Sequence, residues 1–178
     1  MFVSERIGLR KMQNEDVEIY HAWRNDSQVM YSTNPSLDVY SLEETKEFVE
    51  KIILQASPSK SYIIYDKQNS KPIGITSLIN IDAKNRNAEC IIDIGEKDYW
   101  GQGYGQEALS LLLNYAFLEM NLHRAYLRVF SFNEKAISLY HKLGFMHEGR
   151  SRQTLFRNGQ WHDIVHMGIL QDEYMKKK

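Results

Sequence analysis

Apolar and polar positions follow two periods along this chain, and the switches between them divide it into strands and helices. Arg6 to Met12 alternates as a first strand, and from Asn14 onward Val17, Tyr20, His21 and Arg24 recur at helical spacing. Asp26 to Tyr40 is rich in turn formers. Ser41-Leu42-Glu43-Glu44 then has the form of a capping box and leads into Phe48, Ile52 and Ile53, a second helix that ends at Pro58. Two strand-like runs, Ser61 to Tyr65 and Pro72 to Ile81, flank the polar turn Asp66 to Lys71 and should pair antiparallel. Ala88 to Ile94 is a further strand. After the polar link Gly95 to Tyr99, a glycine loop opens a long helix through Glu119, whose stripe of Leu109, Leu112, Leu113, Ala116, Phe117 and Met120 suits it to lie on a sheet. Leu122 to Phe130 alternates as a strand, and Asn133 begins a helix that ends near Leu143-Gly144. Two last strands flank Asn158-Gly159, a hairpin signal. There is no internal repeat and no low-complexity stretch.

Composition narrows the class. The 178 residues, 43% of them apolar, fit one well-filled domain spanning residues 1–178. Charged residues make up 25% and leave a formal net of -1, so no global field marks a binder of nucleic acid or of an anionic membrane. The basic run Lys176-Lys177-Lys178 is terminal and reads as a frayed, solvated end. Met1 to Gln13 lacks the apolar stretch of a signal peptide, and no segment approaches the ~18 unbroken apolar residues of a spanning helix, so a cytoplasmic location is expected. Cys90, the single cysteine, lies in an apolar run and reads as a small buried hydrophobe.

The chemistry starts at Trp100-Gly101-Gln102-Gly103-Tyr104-Gly105. Closely spaced glycines between a strand and a helix let the backbone turn tightly and aim several N–H groups at one point, beside the positive end of the helix dipole, where a diphosphate fits. By itself the pattern also suits a plain strand-to-helix turn. The spacing is wrong for the Gly-x-Gly-x-x-Gly of a dinucleotide fold. Gln106-Glu107 follows where a P-loop needs its lysine and hydroxyl, so neither nucleotide reading has its chemistry.

The loop from Trp100 through Gln106-Glu107-Ala108, followed by Asn133-Glu134-Lys135-Ala136-Ile137-x-x-Tyr140-x-x-x-Gly144-Phe145, resembles the GNAT superfamily of acetyltransferases. Within it the chain is most similar to the branch of ribosomal-protein N-terminal and spermidine acetyltransferases. The resemblance runs from about Ile7 to Tyr174, and Glu148-Gly149 through Asn158-Gly159-Gln160 supports the placement. It implies an α/β (α+β) fold, a mixed, mostly antiparallel sheet with helices on both faces, splayed where the Ala88-Ile94 and Leu122-Phe130 strands part to admit the cofactor. It also implies acetyl-CoA as co-substrate, with no metal. Contacts to that co-substrate are implied for Ile92, Asp93 and Ile94 at the strand edge, for Trp100, Gly101, Gln102, Gly103, Tyr104, Gly105 and Gln106 in the loop, and for Asn133, Lys135 and Ala136 at the next helix. The family's usual loop has Gln or Arg where this chain has Trp100. That removes one side chain from the diphosphate and leaves the backbone amides of Gln102 to Gln106, which carry most of the contact.

Acetyl transfer needs an amine with a free lone pair, a thioester beside it and a proton for the departing thiolate. A primary amine has a pKa near ~10, so a base or a desolvating pocket must help remove its proton. The resemblance puts Glu89 in that position; read alone, Glu89 is equally a solvated residue or a partner for Arg86 or another cation. Asp93, further along the same strand face, is the next acid. Asn133 and Tyr140 lie seven residues apart, two helical turns or about 10 Å along the axis, so one ligand can touch both. Asn133 also suits a helix cap. Tyr140 falls on an apolar stripe and by periodicity is a core residue, whereas the resemblance makes it the acid that protonates the leaving thiolate. A phenol suits that task because it stays protonated at pH 7. An amide at the Ile92 to Ile94 edge would steady the oxyanion. Nothing here supplies a Ser-His-Asp arrangement, so direct transfer without an acetyl-enzyme is the simpler chemistry.

Trp23 and Tyr31 fall where the resemblance places part of the acceptor pocket, although packing explains Trp23 equally well. His162 and His166 stand roughly 13 Å apart on a strand rising about 3.3 Å per residue, with Asp163 on the opposite face, which argues against a metal site. The acceptor is an amine, either a small molecule such as a polyamine, amino sugar or antibiotic, or a protein N-terminus. No nucleic-acid or membrane partner is expected, and a homo-oligomer is left open. A non-catalytic acyl-CoA-binding module is the rival reading, and Tyr140 is the residue that separates the two. A nucleotide-binding scaffold is a third.

Overall fold

The computed structural model describes residues 1–55 and 57–177; Lys178 of the terminal lysine run lies outside the described residues. One seven-stranded sheet carries the chain. Its strands are β1 (Ile7–Arg10), β2 (Lys60–Asp66), β3 (Pro72–Asp82), β4 (Asn87–Ile94), β5 (Arg124–Phe130), β6 (Met146–Arg157) and β7 (Gln160–Leu170), in the order β1-β2-β3-β4-β5-β7-β6. Every neighbouring pair is antiparallel except β4 and β5, which run parallel. A parallel pair needs a long crossover, and the glycine loop with helix α4 (Tyr104–Asn114) supplies it.

Helices cover both faces. Alternation along β2 sends Tyr62 and Ile64 into a cluster with Leu109, Leu112 and Phe117 of the α4 segment, while Ile63 joins Met12, Val17 and Val49 on the other side. Val17 opens α1 (Val17–Asn25), and Val49 follows α3 (Leu42–Phe48), whose capping box is formed as its sequence predicts, with Ser41 Oγ accepting from Glu44 N at 3.2 Å and Glu44 Oε2 from Ser41 N at 2.7 Å. Both long helices end in a wider turn with π-type bonding, Val49–Leu54 and Tyr115–Glu119. Asn133 caps α5 (Glu134–Leu143), and Gly144 ends it with φ 104°.

Two short helices have no counterpart in the periodicity. α2 (Ser27–Met30) lies inside the turn-rich stretch; at four residues it is too short to show a repeat, and it is held by Asp26 Oδ1, which accepts from Gln28 N and Val29 N. α6 (Gln171–Lys176) follows β7 directly, and its Tyr174 packs on Phe117 with ring centroids 5.1 Å apart.

At the end of β4, Gly95 donates to Ile73 O at 2.9 Å, and the Trp23 indole lies flat against its Cα. An added methyl would stand 2.1 Å from Trp23 Cδ2, closer than any real contact. Gly95→Ala is therefore expected to destabilise the fold by about 1–3 kcal/mol, read as a lowered urea midpoint, because overpacking forces ring and strand apart.

Candidate active site

The site begins where a ladder stops. β4 and β5 share three residue pairs, Asn87↔Arg124, Ala88↔Ala125 and Glu89↔Tyr126, and then part. Both strands continue, β4 to Ile94 along β3 and β5 to Phe130 along β7, so the gap has rigid walls. The expected splay is thus present between the two predicted strands.

Beyond the open end of β4 the glycine loop turns into α4. Gly101 and Gly103 have φ 73° and 86°, a left-handed backbone that favours glycine, and a Cβ at Gly101 would meet nothing within 4 Å. Gly101, Gln102, Gly103 and Gln106 are exposed, so the amide face at the start of α4 is open to a ligand. The loop's side chains brace it from behind. Trp100 Nε1 donates to Ile94 O at 2.7 Å, and the Tyr104 ring sits between Tyr99, at 4.9 Å, and the Arg6 guanidinium, at 4.2 Å. Arg6 also donates to Gln102 O at 3.1 Å and pairs with Glu107. Gly105 has an ordinary backbone and lies over Ile92, Ile94 and Leu139. These features fit the diphosphate of a coenzyme A held by backbone N–H groups at a helix N-terminus.

Between the parted strands lies a cavity of about 200 Å³ whose walls include Glu89, Cys90, Ile92, Asp93, Asn133 and Tyr140. The two α5 residues are thus brought together with both candidate acids. Asn133 does two structural jobs as well: its Oδ1 accepts from Ala136 N at 3.1 Å, and its Nδ2 donates to Ser32 O at 3.3 Å, tying down the loop that roofs the cavity. Lys135 is exposed on the first turn of α5.

The two acids differ in surroundings. Glu89 is buried and bound on both oxygens, by Arg128 Nε at 2.7 Å and Asn80 Nδ2 at 3.0 Å. The partner for a cation left open in the sequence is therefore Arg128, not Arg86, which instead bonds Asn121. Asp93 is pushed up to about 6 by burial, against a hydrogen bond from Thr33 that pulls the other way. Burial and the neighbouring Asp93 charge raise the Tyr140 phenol above its ordinary value of 10, so it stays protonated throughout the neutral range. Cys90 is raised to about 12 by burial, in keeping with a buried hydrophobe.

A second cavity, about 360 Å³, adjoins the first; Thr33, Pro35, Ile91 and Asp93 line both. Trp23 forms part of its wall while donating to Glu96 Oε1 at 2.9 Å. Tyr31 packs against Phe132 with ring centroids 5.3 Å apart and takes a bond from Asn158 of the β6–β7 turn, and its neighbours Ser32 and Thr33 line the cleft. Thr33, Asn80 and Arg128 were not singled out from the sequence. Asn80 had a signal, an asparagine inside a strand, where it is disfavoured unless the ladder breaks. Its φ is 50° and the β3–β4 register shifts there. The His-Asp-His run is engaged elsewhere: His166 with Ser151, His162 against the Phe132 ring and Asp163 with Arg150. No group of three metal-ligating side chains occurs among the described residues.

A family model described as an acetyltransferase (GNAT) domain matches residues 6–146. The chain belongs to the GNAT family. Among its relatives, the spermidine N(1)-acetyltransferase of Vibrio cholerae is 30% identical over 176 residues, covering 98% of this chain and 99% of that protein. The enzyme of the same name from Escherichia coli is 32% identical, covering 95% and 88%. A crystal structure of spermidine N-acetyltransferase from Vibrio cholerae in complex with CoA and spermine superposes with a TM-score of 0.87 at 30% identity, covering 95% and 98% of the two chains. This GNAT chain is an N-acetyltransferase that takes its acetyl group from acetyl-CoA and gives it to an amine.

The raised Asp93 carboxyl has a consequence for stability. Its ordinary value is 3.8, so below about pH 4 it is protonated folded or unfolded and contributes nothing. As pH rises through 6 the fold must hold a charge it disfavours, and the cost is complete above that. Asp93→Asn is expected to be more stable than the native chain by roughly 1–3 kcal/mol at pH 7 to 8, with the gap closing towards pH 4. Urea unfolding across that range checks it; a difference independent of pH would contradict the assignment.

Proposed function

We propose that the cavity between β4 and β5 holds the reacting centre, with Tyr140 as general acid and Asp93 as the base that accepts the amine proton. The observation that carries this is the convergence of Tyr140, Asn133 and Asp93 on one cleft, with Asp93 also on the wall of the adjoining cavity through which an amine enters. Acetyl-CoA, as substrate, supplies a thioester whose diphosphate end would rest on the amides of Gln102 to Gln106 and whose arm would pass Asn133 and the Ile92 to Ile94 edge. The incoming amine gives its proton to Asp93. A carboxylate poised near 6 is a better match to that task at neutral pH than one near 4. The amine nitrogen bonds the acetyl carbon, the carbon–sulfur bond breaks, and Tyr140 Oη gives its proton to the sulfur. Asp93 releases the first amine proton to solvent, and the proton still on the newly bonded nitrogen passes through Asp93 or water to the Tyr140 oxygen, which leaves an amide, a CoA thiol and both residues as they began. Glu89, with both oxygens engaged, shapes the wall beside Arg128 and is not the base. The names of the relatives put polyamines among the acceptors to be assayed, and no helix among the described residues is long and apolar enough to cross a membrane.

Tyr140→Phe is expected to lower kcat by about 10²–10³ with CoA affinity changed less than threefold. Free-thiol release and calorimetry with CoA check the two halves; an unchanged kcat would remove Tyr140 from the role of general acid. In kcat/KM against pH, the native enzyme should lose activity below about 6, and Asp93→Asn should abolish that limb while Glu89→Gln keeps it.

A further inference from the structure

We infer that the amine acceptor carries an oxyanion, a carboxylate or a phosphate, that docks on Arg24; this rests on the cleft being the acceptor site of an acetyltransferase. Arg24 projects from α1 into the wall of the second cavity and is only 8% exposed. Its guanidinium is held between two rings, 4.3 Å from Phe48 and 3.9 Å from Tyr40. Rings on a guanidinium cover its faces and leave its N–H edge for a planar acceptor. That edge is unused: Nη1 is buried without a hydrogen-bond partner, and Arg24 makes no hydrogen bond or ion pair among the described residues. Glu44 feels its charge, but Glu44 Oε2 is committed to the Ser41 N–H of the capping box. A buried donor of this kind is costly unless something fills it.

The other charges agree. Among the described residues Asp93 is the one carboxylate lining this cavity, and it sits on the side shared with the proposed reacting centre, where the amine must be. An acceptor with an amine at one end and an oxyanion at the other meets complementary groups at both ends. A polyamine meets Asp93 but brings a second cation towards Arg24. Arginine and carboxylate or phosphate form paired, charge-assisted bonds, and loss of such a bond inside a site costs tenfold or more in binding.

The test uses the full chain saturated with CoA, so that the coenzyme's own anion site is filled. Inorganic phosphate and acetate, in separate titrations, should raise the melting temperature of the native protein and not that of Arg24→Met. Thiol release from acetyl-CoA is then compared within matched pairs, glucosamine 6-phosphate against glucosamine for phosphate and phenylalanine against phenylalaninol for carboxylate, with spermidine alongside. At least one acid-bearing member should exceed its neutral partner tenfold in kcat/KM, and Arg24→Met should bring that pair within threefold. The pair that responds identifies the oxyanion. If Arg24→Met does not fold, Arg24→Lys, which keeps the charge and loses the fork, should narrow the preference three- to tenfold. The inference is overturned if neither anion stabilises the native protein, if the effect survives Arg24→Met, or if spermidine is preferred to every acid-bearing amine. Stabilisation that depends on Arg24, with no thiol released by any amine, would instead uphold the anion site and sink the cleft as the acceptor site.

Discussion

The parallel pairing of β4 and β5 ends after Glu89↔Tyr126, and the site depends on that ending. Strands that part normally leave a floppy edge, but each of these is ladder-bonded on its outer side, β4 to β3 and β5 to β7 over its whole length. The inner backbone groups are therefore held in place yet lack strand partners, and such groups need hydrogen bonds from somewhere. Trp100 takes one of them, at Ile94 O, which also fixes the start of the glycine loop. The amide-bearing arm of coenzyme A suits the rest. One interrupted ladder thus produces the slot, the donors along it and the anchor of the loop at its end.

Burial then separates the roles of two groups that would otherwise compete for a proton. Asp93 and Tyr140 share a cavity, and desolvation disfavours the charged form of each, so the acid rises to about 6 while the phenol moves further from ionisation. The carboxylate can accept a proton at neutral pH and the phenol can only give one. Glu89, four residues earlier on the same strand, has instead a guanidinium and an amide on its oxygens. What separates the two carboxylates is what surrounds each of them, because the residue types are nearly the same.

This is also where sequence stopped being legible. Periodicity gave the first five strands to within two residues and the last two by the turn between them, and the glycine loop, the Ser41 box and the Asn133 cap were readable because their meaning is local. The motif around Asn133 and Tyr140 placed both residues correctly on one cleft. Choosing between Glu89 and Asp93 required knowing that Arg128 and the kinked Asn80 reach the former, and those residues lie 39 and 9 positions away. The surroundings of Tyr31 were hidden for a similar reason: its ring packs against Phe132, far along the chain. Arg24 was visible as a cation on the apolar stripe of α1, but helical spacing alone does not say whether it snorkels to solvent or stays between two rings.

The donor side and the acceptor side of the cleft are built from different materials, and that shapes what similarity can transmit. On the proposed reading coenzyme A rests on backbone: left-handed glycines, helix amides and strand edges. A backbone survives at 30% identity because many sequences give the same one, as the superposition on the Vibrio cholerae enzyme shows. The acceptor would rest on side chains carried by α1, by the loop after it and by α3, in surroundings where one buried charge outweighs many apolar contacts. A fold can be kept while that charge changes sign, so on this reading shared architecture fixes the reaction and leaves the acceptor to Arg24, Asp93 and the rings around them.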